Sequence, residues 1–178
     1  MKHTLLFLLM ICACTLQATA TGKQPRLTDD ELMTLVQKQT FRYFWDFAHP
    51  ESGLARERSN DRLEIATIGG SGFGVMAIIV GVERGFITRE QGAERLLKIV
   101  EFLNKADSYH GIWAHWMDGA TGKTIPFSRK DDGADLVESA FMFEGLLAAH
   151  QYFTHDNPTE NRIRGLINTP VSYTHLTL

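Results

Sequence analysis

The chain has 178 residues, of which 44% are hydrophobic and 22% are charged, and its formal net charge is −3. These values are typical of one soluble globular domain and give no sign of disorder. Lysine and arginine are scattered among a slight excess of aspartate and glutamate. Because a nucleic-acid-binding protein normally carries a clustered basic face, the composition argues against nucleic acid as a partner.

The first twenty residues have the pattern of an export signal. A short basic start precedes an apolar run over residues 5–13, and small residues follow. A membrane-spanning helix needs about 20 apolar residues, roughly twice this run, so we predict a cleaved signal over residues 1–20. Two cleavage patterns are present. Ala18-Thr19-Ala20 suits signal peptidase, whereas residues 11–14 resemble a bacterial lipobox in which Cys14 becomes lipidated. Residues 21–27 follow as a polar linker.

Metal ions and cofactors are not indicated by the sequence. Both cysteines lie in the signal segment, so the mature domain has none for a disulfide or a thiolate metal site. The histidines lack HExxH or comparable ligand spacing. The glycine-rich residues 68–74 match neither the Rossmann nor the Walker pattern, and Ser71 lacks the flanking pattern of a nucleophile elbow. We therefore expect no metal and no cofactor.

Four helices are predicted in chain order. A capping box at residues 28–31 begins the first, an amphipathic helix that ends near Pro50. A long polar loop over residues 49–67 leads into the glycine-rich residues 68–74 and then into a segment that is apolar on all sides, which is typical of an interior helix. The glycines indicate that another backbone or a ligand closely approaches the start of this helix.

The second half of the chain again has an amphipathic helix followed by a mostly apolar one. A capping box at residues 88–91 begins a third helix with one buried stripe. Residues 107–133 lose the helical pattern and predict a short hairpin-like excursion. Helix four, about residues 134–153, is again apolar over more than half its surface. Because nested rings of helices alternate exposed and interior members, the sequence predicts an all-α fold that contains roughly the first two helix pairs of a toroid.

Residues 130–138 carry the clearest chemical signal. Asp131, Asp135 and Glu138 are spaced i, i+4 and i+7, which on a helix places them along one stripe. Crowded carboxyls allow one to stay protonated beside an ionised neighbour, as acid–base hydrolysis of a glycosidic bond requires. Helix capping is the alternative for the aspartates, each contributing at most about 1 kcal/mol. Capping does not explain Glu138, which we expect to be partly buried in an apolar helix.

Aromatic residues precede the acidic segment. Trp113, His115 and Trp116 are candidates for binding sugar, because aromatic faces stack on sugar rings and polar groups bond to the hydroxyls. Packing of the tryptophans in the core is the alternative. Arg56 and Arg58, in the long loop, are candidates for contacting a sugar or pairing with an acid, with a solvated loop surface as the alternative.

Four motifs follow one another along the chain: QTFRYFW at residues 39–45, GLARER at 53–58, TIGGSGF at 67–73 and DDGADLVE at 131–138. Together they resemble the bacterial glucoamylase-like family of glycoside hydrolases over about residues 27–153. The resemblance implies an (α/α)6 toroid, of which this chain is a part, and family members more than twice as long. We therefore expect residues 28–169 to form the N-terminal part of such a domain.

The resemblance also implies an activity and its residues. Characterised members include β-1,2-glucanases, inverting enzymes whose acidic cluster has the pattern Asp-x-x-x-Asp-x-x-Glu, which Asp131, Asp135 and Glu138 reproduce. It thus implies a β-glucan hydrolase, with β-1,2-glucan as the first choice. Inversion needs an acid and a base roughly 6.5–9.5 Å apart, farther than neighbours on one helical stripe. One partner is therefore expected to act through a longer, substrate-borne proton path or to lie in a C-terminal part.

Further expectations concern the whole protein. Residues 170–178 resemble translated adapter sequence, so we interpret them as a non-native tail and expect the fragment by itself to be inactive. At full length we expect a monomer whose partner is an oligo- or polysaccharide. It would be exported to the periplasm, or attached to the outer membrane through lipidated Cys14, in a Gram-negative bacterium. A non-catalytic carbohydrate-binding lipoprotein is the alternative, and it would use the aromatic residues without the acids.

Overall fold

The computed structural model describes residues 26–60 and 62–176. The predicted signal, including Cys14, lies outside the described residues, as does most of the linker. Within the described residues the chain forms five helices and three short strands, in the order α1 (Asp29–Trp45), β1 (Ile65–Thr67), α2 (Ile68–Glu83), α3 (Arg89–Leu103), β2 (Trp116–Asp118), β3 (Thr124–Ile125), α4 (Leu136–Tyr152) and α5 (Pro158–Leu176). None of the helices in this part of the chain is long and apolar enough to cross a bilayer.

Helix α1 begins with the capping box that the sequence predicts. The Thr28 amide donates to the Glu31 carboxylate at 2.8 Å, and the Glu31 amide donates to the Thr28 hydroxyl at 3.3 Å. The chain divides within this helix, between Thr34 and Leu35, into two compact units. In the second unit Phe41 is buried and Trp45 packs against the core, whereas Leu35 and Val36 are exposed.

Helices α2 and α4 pack against each other through glycine. A Cβ atom added to Gly72 would overlap the Phe141 carbonyl oxygen, and one added to Gly145 would lie 2.5 Å from the Gly72 carbonyl oxygen. The two backbones therefore approach more closely than any other residue type allows. This contact confirms the close approach that the glycine-rich residues 68–74 predict.

Helix α3 begins with the second predicted capping box. The Thr88 hydroxyl accepts from the Gln91 amide at 3.2 Å, and the Thr88 amide donates to the Gln91 side chain at 2.8 Å. Its buried residues form the single stripe that the sequence predicts: Gly92, Ala93, Leu96, Ile99, Val100 and Leu103. This stripe packs against α2 and α5.

Helix α5 was not predicted, although its first turn carries recognisable signals. Pro158 is its first residue, and the Asn157 side chain accepts from the Glu160 amide at 2.9 Å as an N-cap does. Glu160 is 3% exposed and accepts two hydrogen bonds from Arg89, at 3.0 and 2.9 Å. The helix contains Pro170 and runs to Leu176, so its backbone extends through most of the predicted tail, residues 170–178.

The three strands form one antiparallel sheet, with β2 in the middle. Strands β2 and β3 form the predicted hairpin, with Trp116 opposite Ile125. Strand β1, which falls within the predicted loop, pairs with the other edge of β2 and places Thr67 opposite Trp116. Because α2 follows β1 directly, this pairing brings the start of α2 next to the hairpin. The predicted class, all-α with a hairpin before the acidic helix, is confirmed.

Candidate active site

The three predicted acids do not lie on one helix. Helix α4 begins at Leu136, and Asp135 is its N-cap, with an extended backbone at φ −115° and ψ 113°. Asp131 lies in a turn before it, where its amide donates to the Ser128 carbonyl at 3.1 Å. The helical stripe predicted from the i, i+4, i+7 spacing is therefore wrong. Aspartate is favoured at the N-cap position. The helix therefore begins after Asp135 and does not reach back to Asp131.

The acids nevertheless converge, because they surround His115. The Nδ1 atom of His115 lies 3.5 Å from Asp135 Oδ2 and 3.9 Å from Asp131 Oδ2. Its Nε2 atom lies 3.9 Å from Glu138 Oε1. All four side chains are partly exposed. The predicted partial burial of Glu138 is confirmed, and a protonated His115 would face three carboxylates.

The remaining oxygens of Asp135 and Glu138 are held by the ends of two helices. Asp135 Oδ1 accepts from the amides of Val137 and Glu138, at 2.9 and 3.0 Å, so the predicted capping role is confirmed for this residue. Glu138 Oε2 accepts from the Gly69 amide at 2.9 Å and lies 3.4 Å from the Thr67 hydroxyl. The start of each helix thus holds one carboxylate in place, α4 that of Asp135 and α2 that of Glu138.

Gly69 is required for the position of Glu138. A Cβ atom at residue 69 would lie 2.6 Å from Glu138 Oε2. Any larger residue would therefore push this carboxylate away from the start of α2. The glycine-rich segment thus serves the acidic group as well as helix packing.

Backbone hydrogen bonds place His115 among the acids. The Asp135 amide donates to the Trp113 carbonyl at 2.8 Å, which ties the start of α4 to the segment that contains His115. Ser139 reinforces the link, because its hydroxyl donates to the same carbonyl and accepts from the Trp113 amide. On the other side, the Ile68 amide at the start of α2 donates to the His115 carbonyl at 3.1 Å. The N-termini of two helices thus fix the histidine.

An aromatic group borders the acids. Phe127 stacks on the His115 ring with centroids 4.2 Å apart and an interplanar angle of 13°, and it meets Trp116 edge-on at 4.6 Å. Phe127 is 46% exposed, whereas Trp116 is buried and its indole N–H has no hydrogen-bond partner among the described residues. Sequence analysis missed Phe127, although its place between the hairpin and the acids was a usable signal. The group offers an exposed aromatic face next to His115.

Crystal structures of proteins with similar sequences are known. A candidate glucoamylase from Bacteroides uniformis ATCC 8492 is 81% identical, with a TM-score of 0.83 over 84% of this chain and 37% of its own. An endo-β-1,2-glucanase from Chitinophaga pinensis, in complex with sophorotriose and glucose, is 50% identical, with a TM-score of 0.79 over 83% of this chain and 37% of its own.

A curated relative agrees with these structures. The exo β-1,2-glucooligosaccharide sophorohydrolase (non-reducing end) of Parabacteroides distasonis is 53% identical over 143 residues, which make up 80% of this chain. Models of known protein families give no match to the chain. The chain belongs to the glucoamylase-like glycoside hydrolases. It spans just over a third of the length of these solved relatives and a fifth of the curated one.

Three other predicted site residues of this glucoamylase-like chain, Trp113, Arg56 and Arg58, have their side-chain contacts outside the acidic group. Trp113 is 2% exposed and its indole N–H donates to the Leu103 carbonyl at 3.3 Å, so it packs in the core and presents no ring face to a sugar. The Arg56 guanidinium donates to the carbonyls of Phe47 and Leu63 and holds the loop together. Arg58 is exposed and pairs with its neighbour Glu57. The described contacts of these three residues do not include the acids.

One further chemical property follows from the crowding in the glucoamylase-like site. One nitrogen of His115 and one oxygen each of Asp131 and Asp135 lie within 4.8 Å of one another. Such atoms can bind a cation, although exposed acidic groups also cluster without one. The spacing of histidines along the sequence could not reveal this group. The same distance is too short for Asp131 and Asp135 to form the acid and base of an inverting reaction, which need roughly 6.5–9.5 Å.

Proposed function

We propose that the glucoamylase-like protein containing this chain hydrolyses a β-glucan, with β-1,2-glucan as the first choice. The similarity to an endo-β-1,2-glucanase and to an exo β-1,2-glucooligosaccharide sophorohydrolase supports the substrate class. The observation that carries the proposal is the convergence of three carboxylates around His115. A purely capping role would need only the Oδ1 atom of Asp135.

We assign the proton-handling groups to Asp131, Asp135 and Glu138. The oxygens of Asp135 and Glu138 that face His115 are free of backbone hydrogen bonds in the described contacts, so they are available to a substrate hydroxyl or a water. An inverting pair requires a carboxyl farther away than Asp131 is from Asp135. Asp131 and Asp135 therefore do not form such a pair with each other.

The aromatic group beside the acids is assigned to substrate binding. The exposed ring of Phe127 offers a flat face to a glucose unit on the side that His115 does not cover. Stacking on an aromatic face together with a few polar contacts is how small ligands are normally held.

A polysaccharide panel tests the proposed function. A form of the protein that extends to the full length of its relatives would be incubated with β-1,2-, β-1,3- and α-1,4-glucans, with and without a chelator, and the released sugars measured. We expect release from β-1,2-glucan that the chelator does not reduce. Release only from α-1,4-glucan would overturn the linkage, and binding without release would favour the carbohydrate-binding lipoprotein.

We further propose that the protein is exported and is either released into the periplasm or lipidated at Cys14. The proposal is supported by the signal pattern of residues 1–20. Fractionation of cells that produce the natural protein and its Cys14→Ser variant tests it. A lipoprotein would move from the membrane to the soluble periplasmic fraction in the variant, whereas a protein cut after Ala20 would not change.

A further inference from the structure

His115 occupies the centre of the acidic group and lies on no helix. Its two ring nitrogens face opposite sides, Nδ1 toward Asp131 and Asp135 and Nε2 toward Glu138. The carboxylate oxygens that it faces are not the ones that cap the helices. Each of Asp135 and Glu138 is therefore held at one oxygen by a helix end and faces this one imidazole with the other.

The ring itself is firmly held. Phe127 covers one face at 4.2 Å and nearly parallel, and Trp116 meets it edge-on at 5.9 Å. The carbonyl of His115 accepts from the first amide of α2. A ring fixed on two sides and along its backbone has little rotamer freedom, so its nitrogens keep their directions.

The two nitrogens of a neutral imidazole differ, because only one of them carries a proton. A neutral ring donates from one nitrogen only, so a single tautomer can bond toward Asp131 and Asp135 or toward Glu138, whereas the imidazolium serves both sides. The distances of 3.5–3.9 Å exceed those of direct hydrogen bonds, so a protonated ring would act on the carboxylates through its charge. Losing the ring would leave the outward oxygens of the acids without a fixed neighbour.

On this basis we propose that His115 is a positioning residue that sets the orientation of the Asp135 and Glu138 carboxylates, and not primarily a sugar ligand as its place in the sequence suggests. This role rests on the proposed glucan hydrolysis. It is distinct from a catalytic role, because His115 acts through the carboxylates and need not touch the bond that breaks.

Three substitutions of His115 test the proposal in the full-length protein. Alanine removes the ring, asparagine returns an amide near the position of Nδ1, and glutamine returns one near Nε2. We expect His115→Ala to lower kcat tenfold or more with KM changed less than threefold, and at least one amide variant to recover part of kcat. His150→Ala, which alters a partly buried histidine at the far end of α4, serves as the matched control and should leave both constants unchanged.

The results separate the alternatives. A folded His115→Ala variant with kcat within twofold of the unsubstituted protein, or with its whole effect in KM, would overturn the positioning role. If the unsubstituted protein hydrolyses no glucan, the proposed function fails and a double-mutant cycle still decides the inference. Thermal midpoints of His115→Ala, Asp135→Asn and the double variant should then be non-additive, because the side chains interact, and strict additivity would overturn the contact.

Discussion

At the scale of single residues, Asp135 uses its two carboxylate oxygens differently. Oδ1 caps α4, while Oδ2 faces His115. Asparagine caps a helix about as well as aspartate but cannot take up or release a proton at neutral pH. We therefore predict that Asp135→Asn keeps the thermal midpoint within a few degrees while turnover of β-glucan by the full-length protein falls by a factor on the order of 10² or more.

Glu138→Gln should behave in the same way, because its amide oxygen can still accept from Gly69. Asp132→Asn is the matched control, since Asp132 is an exposed neighbour in the same segment. Thermal melts measured beside the kinetics show whether each variant is folded. Near-normal turnover in folded Asp135→Asn and Glu138→Gln variants would mean that these carboxylates are structural.

Glu160 predicts a dependence of stability on pH. Burial alone would raise its pKa, but hydrogen bonds from Arg89, the His155 amide and Asn157 outweigh this and lower the pKa from 4.5 to about 2. Because the folded pKa lies below the unfolded one, the pair stabilises the protein above pH 4.5. That stabilisation, about 3 kcal/mol at neutral pH, is lost as the pH falls toward 2.

Urea unfolding at pH 7 and pH 3 measures this effect. Glu160→Gln should lower the unfolding free energy at pH 7 and flatten the difference between the two pH values. Glu101→Gln removes an exposed pair with Arg162 and should change both values little. An equal pH dependence in the natural protein and the Glu160→Gln variant would contradict the assignment.

At the scale of elements, the contact of α2 with α4 depends on Gly72. A methyl group there would overlap the Phe141 carbonyl and lie 2.8 Å from the Met142 Cα atom, and backbone atoms cannot turn aside as a side chain can. We predict that Gly72→Ala lowers the unfolding free energy by about 1–3 kcal/mol through overpacking, as measured by urea unfolding.

Gly165 provides the matched control for this prediction. It lies in α5, and a Cβ atom added to it would meet nothing within 4 Å. Gly165→Ala should therefore stabilise the protein by about 0.5–1 kcal/mol, since alanine loses less entropy in a helix. A Gly72→Ala variant as stable as Gly165→Ala would show that α2 and α4 can separate at no cost.

The elements show which sequence signals are local. Both predicted capping boxes were found because each uses residues three positions apart, and the hairpin was found from its turn residues. Strand β1 was missed because three residues in a polar loop become a strand only by pairing with β2. Helix α5 was not predicted although Asn157 and Pro158 mark its start, because Pro170 lies inside it and proline normally ends or kinks a helix.

The site was predictable in composition but not in geometry. The types and order of Asp131, Asp135 and Glu138 pointed to an acidic group, while the assumption of a continuous helix misplaced Asp131. The central place of His115 depends on hydrogen bonds from Ile68 and Asp135 to its own segment, which no spacing rule contains. Burial of Trp113 likewise follows from tertiary packing.

At the scale of the molecule, α2 and α4 leave an apolar face uncovered. Its exposed members, called here the α2/α4 apolar face, are Phe73, Met76 and Val80 of α2 with Val137 and Phe141 of α4. Patches of this kind mark surfaces that another part of a protein covers. We predict that the 178-residue chain produced alone binds a hydrophobic dye and self-associates, as measured by dye fluorescence and size-exclusion chromatography.

Replacing Phe73 and Phe141, which stack at 5.2 Å, by glutamine should reduce both effects. Leu63→Gln changes an exposed apolar residue outside the face and is the control. A monomeric chain with a sharp cooperative melt and little dye binding would contradict this prediction.

The hydrogen bond between the Gly69 amide and Glu138 also has a consequence for the order of folding. It joins residues 69 positions apart, so it can form only after a long loop has closed. The acidic group is therefore assembled late in folding, only when α4 has packed on the glycine-lined surface of α2.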